Sequence, residues 1–255
     1  MIKLFRKIRQ NLIMENKTSK YFKYAIGEII LVVIGILIAL QINNWNEERK
    51  LKTNEKDLYS RIILDLQVDE KKLENYITYY KDNQLLHKRI YQESQGIISN
   101  DSLTDFSMLR AARIFDFLIE ANYSNYIKEI DNNIVRENLN NYFMYEKFVF
   151  DAFKHLQEFK EDRFKPFLSK YGMNDTKELF NHYQLDYYDL REKNVFSYSK
   201  LKEQYGNMEL DQMLFNLGIK TSWAITALEN LLDINQKLQL DLKNNLNGKS
   251  LNSDN

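Results

Sequence analysis

One uninterrupted apolar segment limits how this chain can fold. Residues 24–42 read YAIGEIILVVIGILIALQI, nineteen residues with Glu28 as the only charge. As a helix they would extend about 28 Å, close to the thickness of the hydrocarbon core of a bilayer. The apolar residues Ile29–Leu40 leave no polar face for water to solvate, which argues against a buried helix of a soluble protein. We therefore predict one transmembrane helix over residues 24–44.

The flanks of this segment predict its orientation. The charges of Glu47, Glu48, Arg49 and Lys50 cancel after the span, whereas only one acid, Glu15, precedes it. The positive-inside rule then places the N-terminus in the cytoplasm and the chain from about Asn46 on the other side of the cell inner membrane. The basic residues of this topology signal are Lys3, Arg6, Lys7, Arg9, Lys17, Lys20 and Lys23. The aromatic residues expected at the two membrane interfaces are Tyr21, Phe22, Tyr24 and Trp45.

The N-terminal segment has alternative interpretations. A cleavable signal peptide competes with an uncleaved signal-anchor, and we favour the anchor because no small-x-small cleavage site follows Leu40. Residues 1–23 form a basic cytoplasmic segment with Ile2, Phe5, Ile8 and Leu12 at helical spacing. This pattern fits an amphipathic helix on an anionic lipid surface, or a topology signal without fixed structure.

The N-terminal sequence resembles a large family of uncharacterised single-pass membrane proteins from Bacteroidota, especially flavobacteria. The most specific parts of the resemblance are residues 5–10 (FRKIRQ), 24–28 (YAIGE) and 40–46 (LQINNWN). The rest of the chain matches more loosely. The resemblance implies a membrane location, and it transfers no activity, cofactor or catalytic residue.

The remaining chain predicts an all-α domain outside the cytoplasm over residues 45–247, followed by a disordered tail over 248–255. Residues 46–94 contain no Gly or Pro and predict one long amphipathic helix that continues from the membrane. Residues 133–171 are helical in pattern, and Pro166 is expected to kink or end that helix near Lys165. The predicted fold is thus a transmembrane helix, a long amphipathic helix and a helical bundle.

The last predicted helix, from Met208 to about Leu246, carries a heptad seam typical of coiled coils. Its apolar positions alternate in steps of four and three, and two polar residues within it could set the register. We expect it to pack antiparallel on the long helix after the membrane, as a bundle core or, alternatively, as an oligomer interface. The seam consists of Leu210, Leu214, Leu217, Thr221, Ala224, Leu228, Leu231, Asn235, Leu238 and Leu242.

Inside the span, Glu28 is the one energetically expensive residue. Either it is a functional intramembrane carboxylate, or it lies near the interface and pairs loosely with Lys20 or Lys23, which we favour. Small residues at Gly35 and Ala39, with Gly27 eight positions before Gly35, could let two spans approach closely.

No pattern in the sequence indicates catalytic, metal-binding or cofactor-binding chemistry. The chain has no Cys and three His, and we find no zinc motif, phosphate-binding loop or nucleophile elbow. A formal net charge of zero argues against a dedicated nucleic-acid binder. We therefore expect a membrane-anchored interaction or scaffolding module with membrane lipid and a protein partner or second copy as its contacts. The alternatives are a ligand sensor that relays to a membrane partner and, less favoured, an envelope enzyme.

Overall fold

The structure, a computed structural model, describes residues 18–99, 107–111, 119–181 and 195–248, and this part of the chain is helical. The predicted all-α fold is confirmed. Helices are numbered in chain order. The three long ones are α1 (Thr18–Ser94), α4 (Asn133–Phe159) and α8 (Met208–Leu246). The short ones are α2 (Ser107–Arg110), α3 (Ile119–Tyr123), α5 (Lys165–Lys170), α6 (Thr176–Asn181) and α7 (Tyr198–Lys202). A 3₁₀ helix, Ser124–Glu129, follows α3.

The chain divides into two compact units, Met1–Asp57 and Leu58–Asn255. In the first unit, the described residues belong to α1. The second unit contains the buried apolar core, which begins at Leu58 and draws on α1, α4 and α8 together with the shorter helices. The predicted boundaries at residues 23, 44 and 247 remain predictions.

Helix α8 runs antiparallel to the part of α1 in the second unit. Gln236 Nε2 donates a hydrogen bond to Glu70 Oε1 at 2.9 Å, and Gln84 Nε2 donates to Ser222 Oγ at 2.8 Å. Residue numbers therefore rise on α1 as they fall on α8. This is the antiparallel pairing expected for the heptad seam.

Helix α4 packs as the third long helix of the bundle and is also antiparallel to α8. Asn138 Nδ2 donates to Asp241 Oδ2 at 2.8 Å near one end. Towards the other end, the His155 ring stacks on Trp223 with centroids 5.3 Å apart. Since α8 is antiparallel to both partners, α1 and α4 are parallel to each other. Polar residues at the same height on the three helices can therefore lie close together in the interior between them.

The ends of the long helices follow from local sequence. At the end of α1, Gly96 adopts a φ of +66°, its N–H donates to Glu93 O, and the N–H of Ile97 donates to Gln92 O. This is a Schellman ending, which requires the left-handed conformation that Gly adopts without strain. At the start of α8, Asn207 Oδ1 accepts a hydrogen bond from the N–H of Glu209 at 2.9 Å, so a short polar side chain caps the helix.

Pro166 widens the preceding helix and does not terminate it. A π turn, Lys160–Phe164, joins α4 to α5, and the N–H of Lys165 donates to Lys160 O. Pro166 has no N–H to donate, and its ring crowds the preceding turn, so the helix accommodates it by a wider turn. The π turn begins at Lys160, whose side chain is buried.

Candidate functional site

The apolar segment of α1 is exposed over residues 29–42. From Ile29 to Leu40 every side chain is exposed, and α1 is the one helix of the described residues that is long and apolar enough to cross a membrane. Phe22 and Trp45, at the ends of the segment, are also exposed. A membrane-spanning role for this helix fits its length and composition.

The structure places the remaining membrane residues as follows. Gly27, Gly35 and Ala39 are exposed, and a Cβ added at either glycine would meet nothing within 4 Å. Glu28 is half-buried. Lys23 is exposed, whereas Lys3, Arg6, Lys7, Arg9 and Lys17 and the side chains of Lys20, Tyr21 and Tyr24 lie outside the described part of the chain.

All ten residues of the heptad seam are buried in the second unit. The seam faces α1 and α4 at once, because Asn235 Nδ2 donates to Leu66 O and to the hydroxyl of Tyr142, both at 3.1 Å. Asn235 Oδ1 in turn accepts a hydrogen bond from Gln239 Nε2 at 2.8 Å. Asn235 on α8 is therefore hydrogen-bonded to both α1 and α4 at one position along the bundle.

A carboxylate cluster lies at the same height and consists of Asp65, Asp69, Tyr142 and Glu146. Asp69 is fully buried, neither of its oxygens has a hydrogen-bond partner among the described residues, and the ammonium of Lys72 is 3.8 Å from its Oδ1. Burial raises the pKa of Asp69 to about 6, against the attraction of Lys72. Asp65, by contrast, accepts a hydrogen bond from the hydroxyl of Tyr123 at 2.8 Å.

Glu146 connects this cluster to α3. Its carboxylate accepts hydrogen bonds from the N–H groups of Ile119, at 3.3 Å, and Glu120, at 2.8 Å, and it is fully buried. Burial raises the pKa of Glu146 to about 8, while the Glu120 N–H opposes this shift and the charge of Asp69 adds to it. Asp69 and Glu146 are therefore two buried acids close together in the bundle, and the negative charge of each disfavours ionisation of the other.

A second polar group, the histidine cluster, lies further along the bundle and consists of Asn83, His87, Lys160 and Thr221. The hydrogen bond between Gln84 and Ser222 shows how α1 and α8 align, and this alignment brings the neighbouring residues Asn83, His87 and Thr221 to similar heights. The charge of Lys160 contributes to the lowered pKa of His87. Lys160, at the start of the π turn, therefore lies near His87. All four side chains are buried.

Three of these side chains carry polar atoms without a hydrogen-bond partner in the part of the chain that the structure describes. The atoms are Nδ1 and Nε2 of His87, Oδ1 of Asn83 and Oγ1 of Thr221. Each unsatisfied buried group costs about 1–3 kcal/mol, whereas a whole domain is stable by only about 5–15 kcal/mol. A polar occupant that paired with these atoms would recover a substantial part of that cost.

Lys160 supplies a cation to the histidine cluster. The residue is 1% exposed, and its ammonium donates to two neutral carbonyls, Met108 O at 3.0 Å and Ala111 O at 2.6 Å. Burial lowers its pKa to about 7, and the nearby cation of Lys165 adds to that effect. Burial also lowers the pKa of His87 to about 3, with Lys160 adding to the shift, so the imidazole is neutral at physiological pH.

An apolar patch lies on α4 and α8 and consists of four exposed residues, His155, Phe215, Ile219 and Trp223, with the half-buried Phe159 beside them. Phe215, Ile219 and Trp223 follow each other at intervals of four residues on α8 and are 64%, 58% and 44% exposed. His155 stacks on Trp223, and the ammonium of Lys220 lies 5.8 Å from the centroid of the Phe159 ring. These two contacts join the α4 and α8 parts of the patch.

Sequence reasoning found the seam and missed both polar clusters. His87, Lys160 and Glu146 occur singly in helical segments rich in charge, where the ordinary interpretation is a solvated face. One signal was available: Asn83 and His87 share a helix face with the apolar positions Tyr80 and Ile90. In the described ranges no three His, Asp or Glu side chains form a group that could hold a metal ion.

Comparisons with known proteins find a similarity to a family of unknown function and indicate no activity. No curated protein matches the chain, and no solved structure matches it either. A family model does match, and its description is a family of unknown function, DUF6090. Over residues 28–107, which include most of the apolar segment and α1 from Glu28 onward, the chain is similar to that family of unknown function.

Proposed function

We propose that this chain is a single-pass inner-membrane protein whose helical unit lies outside the cytoplasm and acts as an interaction module that binds a second copy of itself. The observation that carries the interaction is the apolar patch of His155, Phe159, Phe215, Ile219 and Trp223. Large apolar side chains exposed together on a folded surface are typical of a protein interface.

The membrane location is supported by the exposed residues Ile29–Leu40. In water, this surface would be a strongly unfavourable apolar cylinder, whereas in lipid its burial drives insertion. The orientation is supported by the excess of Lys and Arg before the span, since positively charged flanks stay in the cytoplasm.

The shape of the patch favours a second copy as its occupant. Phe215, Ile219 and Trp223 form a narrow stripe that extends about 12 Å along α8. This length is close to the diameter of one helix with its side chains. If two copies meet about a twofold axis that runs along α8, Phe215, Ile219 and Trp223 of each copy face the same residues of the other, and one stripe is complementary to itself. Anchoring in one membrane also keeps the copies at a high effective concentration, so a small interface is sufficient.

The absence of Cys from the sequence makes this contact directly testable. In the Ile219→Cys variant, a short bifunctional maleimide added to native membranes is expected to trap a dimer. The matched control is Leu240→Cys, on the same helix and 59% exposed but outside the patch, which is expected to remain monomeric. Equal crosslinking of both variants, or of neither, would contradict self-association through the patch.

The topology has its own test. A periplasmic reporter fused after Asn255 is expected to be active, and a reporter that works only in the cytoplasm is expected to be inactive there. The reverse pattern would overturn the proposed orientation. A variant in which Lys3, Arg6, Lys7 and Arg9 are replaced by Glu should shift part of the population to the opposite orientation.

A further inference from the structure

We propose that the histidine cluster of Asn83, His87, Lys160 and Thr221 binds a small carboxylate that also carries a hydroxyl group. The site goes beyond the proposed interaction function and does not depend on self-association. It lies in the interior of the bundle, where ligand sites of helical proteins are commonly built from side chains on facing helices.

The charge of the site selects an anion. Lys160 is buried, and its two hydrogen bonds go to uncharged carbonyls, those of Met108 and Ala111. No carboxylate of the described residues lies within ion-pair distance of its ammonium. A buried cation is stable only when it is paired or neutralised, and an anionic ligand would pair with it.

The hydrogen-bond donors select a carboxylate. The neutral imidazole of His87 offers one N–H, and the hydroxyl of Thr221 offers one O–H, and neither has a partner. The Lys160 ammonium has three N–H groups, of which two are used by carbonyls. Three donors from three elements suit a carboxylate, whose two oxygens accept up to about four hydrogen bonds.

The acceptors require a donor on the same ligand. Asn83 Nδ2 donates to Tyr79 O at 2.8 Å, and its Oδ1 therefore points away from that carbonyl as an unpaired acceptor. The second nitrogen of neutral His87 is an acceptor as well. A hydroxyl group could donate to either atom. An ammonium group would be disfavoured, because the cation of Lys160 is close enough to act on His87.

The test uses the full-length chain in detergent and follows thermal unfolding at constant ionic strength and pH 6. The probes are sodium lactate, which has the hydroxyl, sodium propionate, which lacks it, and sodium chloride. Lactate is expected to raise the melting temperature in a saturable manner, propionate to do so less, and chloride not at all. The lactate affinity should fall as the pH rises above about 7, since Lys160 then loses its proton.

Variants assign the effect to the site. Thr221→Val keeps the shape but removes the unpaired hydroxyl, so the ligand-free protein should melt at a higher temperature and bind lactate about tenfold more weakly. Thr221→Ser should retain binding. Ser222→Ala, at the next position, is the matched control and should bind as the wild type does.

Three results would overturn the proposal. They are a response to chloride equal to that to lactate, unchanged lactate binding in Thr221→Val, and no response to any of the three salts. Equal binding of propionate and lactate would overturn the requirement for a hydroxyl group. If Thr221→Val does not fold, His87→Leu provides the same comparison, because it removes the imidazole donor and acceptor together.

Discussion

The side chain of Asn235 on α8 donates a hydrogen bond to the hydroxyl of Tyr142 on α4, at 3.1 Å, in the middle of the buried core. The same amide nitrogen reaches Leu66 O on α1. Because α1, α4 and α8 are each long and could slide past one another with little change in apolar contact, a polar residue with partners on both neighbours selects one register. The packing of both polar clusters depends on that register.

Asn235→Ala should strongly destabilise the helical unit. The substitution removes the hydrogen bonds of Asn235 to the Tyr142 hydroxyl and Leu66 O and from Gln239, although Gln239 Nε2 still donates to Glu70. We therefore expect a loss of about 2–4 kcal/mol in the free energy of unfolding. Chemical denaturation measures it. Asn216→Ala is the control, since Asn216 bonds only to Gln212 O of its own helix, and it should cost less than about 0.5 kcal/mol. Similar losses in both variants would contradict the role of Asn235.

Glu146→Gln should change how stability depends on pH. The folded-state pKa of Glu146 is raised from 4.5 to about 8, so between these values the folded state binds more protons than the unfolded state. Stability contributed by the protonated acid is therefore lost as pH rises through this window. We expect the stability of the wild type relative to Glu146→Gln to fall by on the order of 4 kcal/mol from pH 4.5 to 8, since one unit of pKa shift corresponds to about 1.4 kcal/mol.

Comparison with the variant is needed because His87 and Lys160 change the stability in the opposite sense over pH ranges that overlap the range of Glu146. Denaturation curves at several pH values give the difference directly. Glu137→Gln, on the exposed side of the same helix, is the control and should show a constant difference from the wild type. A constant difference for Glu146→Gln too would show that this carboxylate is not protonated in the folded state.

Tyr205→Phe should loosen the segment that precedes α8. Buried Glu93 accepts hydrogen bonds from the hydroxyls of Tyr198 and Tyr205, the latter at 2.9 Å, and so ties this segment to the end of α1. Removal of one hydroxyl from a carboxylate acceptor is expected to cost about 1–2 kcal/mol and to increase amide exchange over residues 198–206. Tyr91→Phe, at an exposed position, should leave both measurements unchanged.

Gly35→Ile tests the association of two spans. A bulky side chain at Gly35 would separate two helices that meet at Gly35 and Ala39, so the signal of a membrane two-hybrid reporter should fall several-fold. Leu37→Ile, on the other side of the span, should keep the signal. If Gly35→Ile associates as strongly as the wild type, the small residues are not the contact.

Local patterns were sufficient to predict several parts of the fold. The long helices were predicted to end near Ser94 and Leu246, where they do end. Such features depend on residues close in sequence, namely the apolar period of a helix and the glycine that terminates it. The response of the helix to Pro166 was predicted only as a kink or an end, because the choice of a π turn depends on the packing of Lys160 and Phe164.

The sequence by itself determined a helical chain with one segment apolar enough for a membrane and a final helix with a buried seam. Only the tertiary structure decided that His87, Lys160 and Glu146 are buried and that their polar neighbours meet. Lys160 and His87 are 73 positions apart, and each alone looks like a solvated residue on a charged helix. Their environment depends on the register of three long helices. Burial is a property of that packing and of the low dielectric it creates, and a local sequence window contains neither.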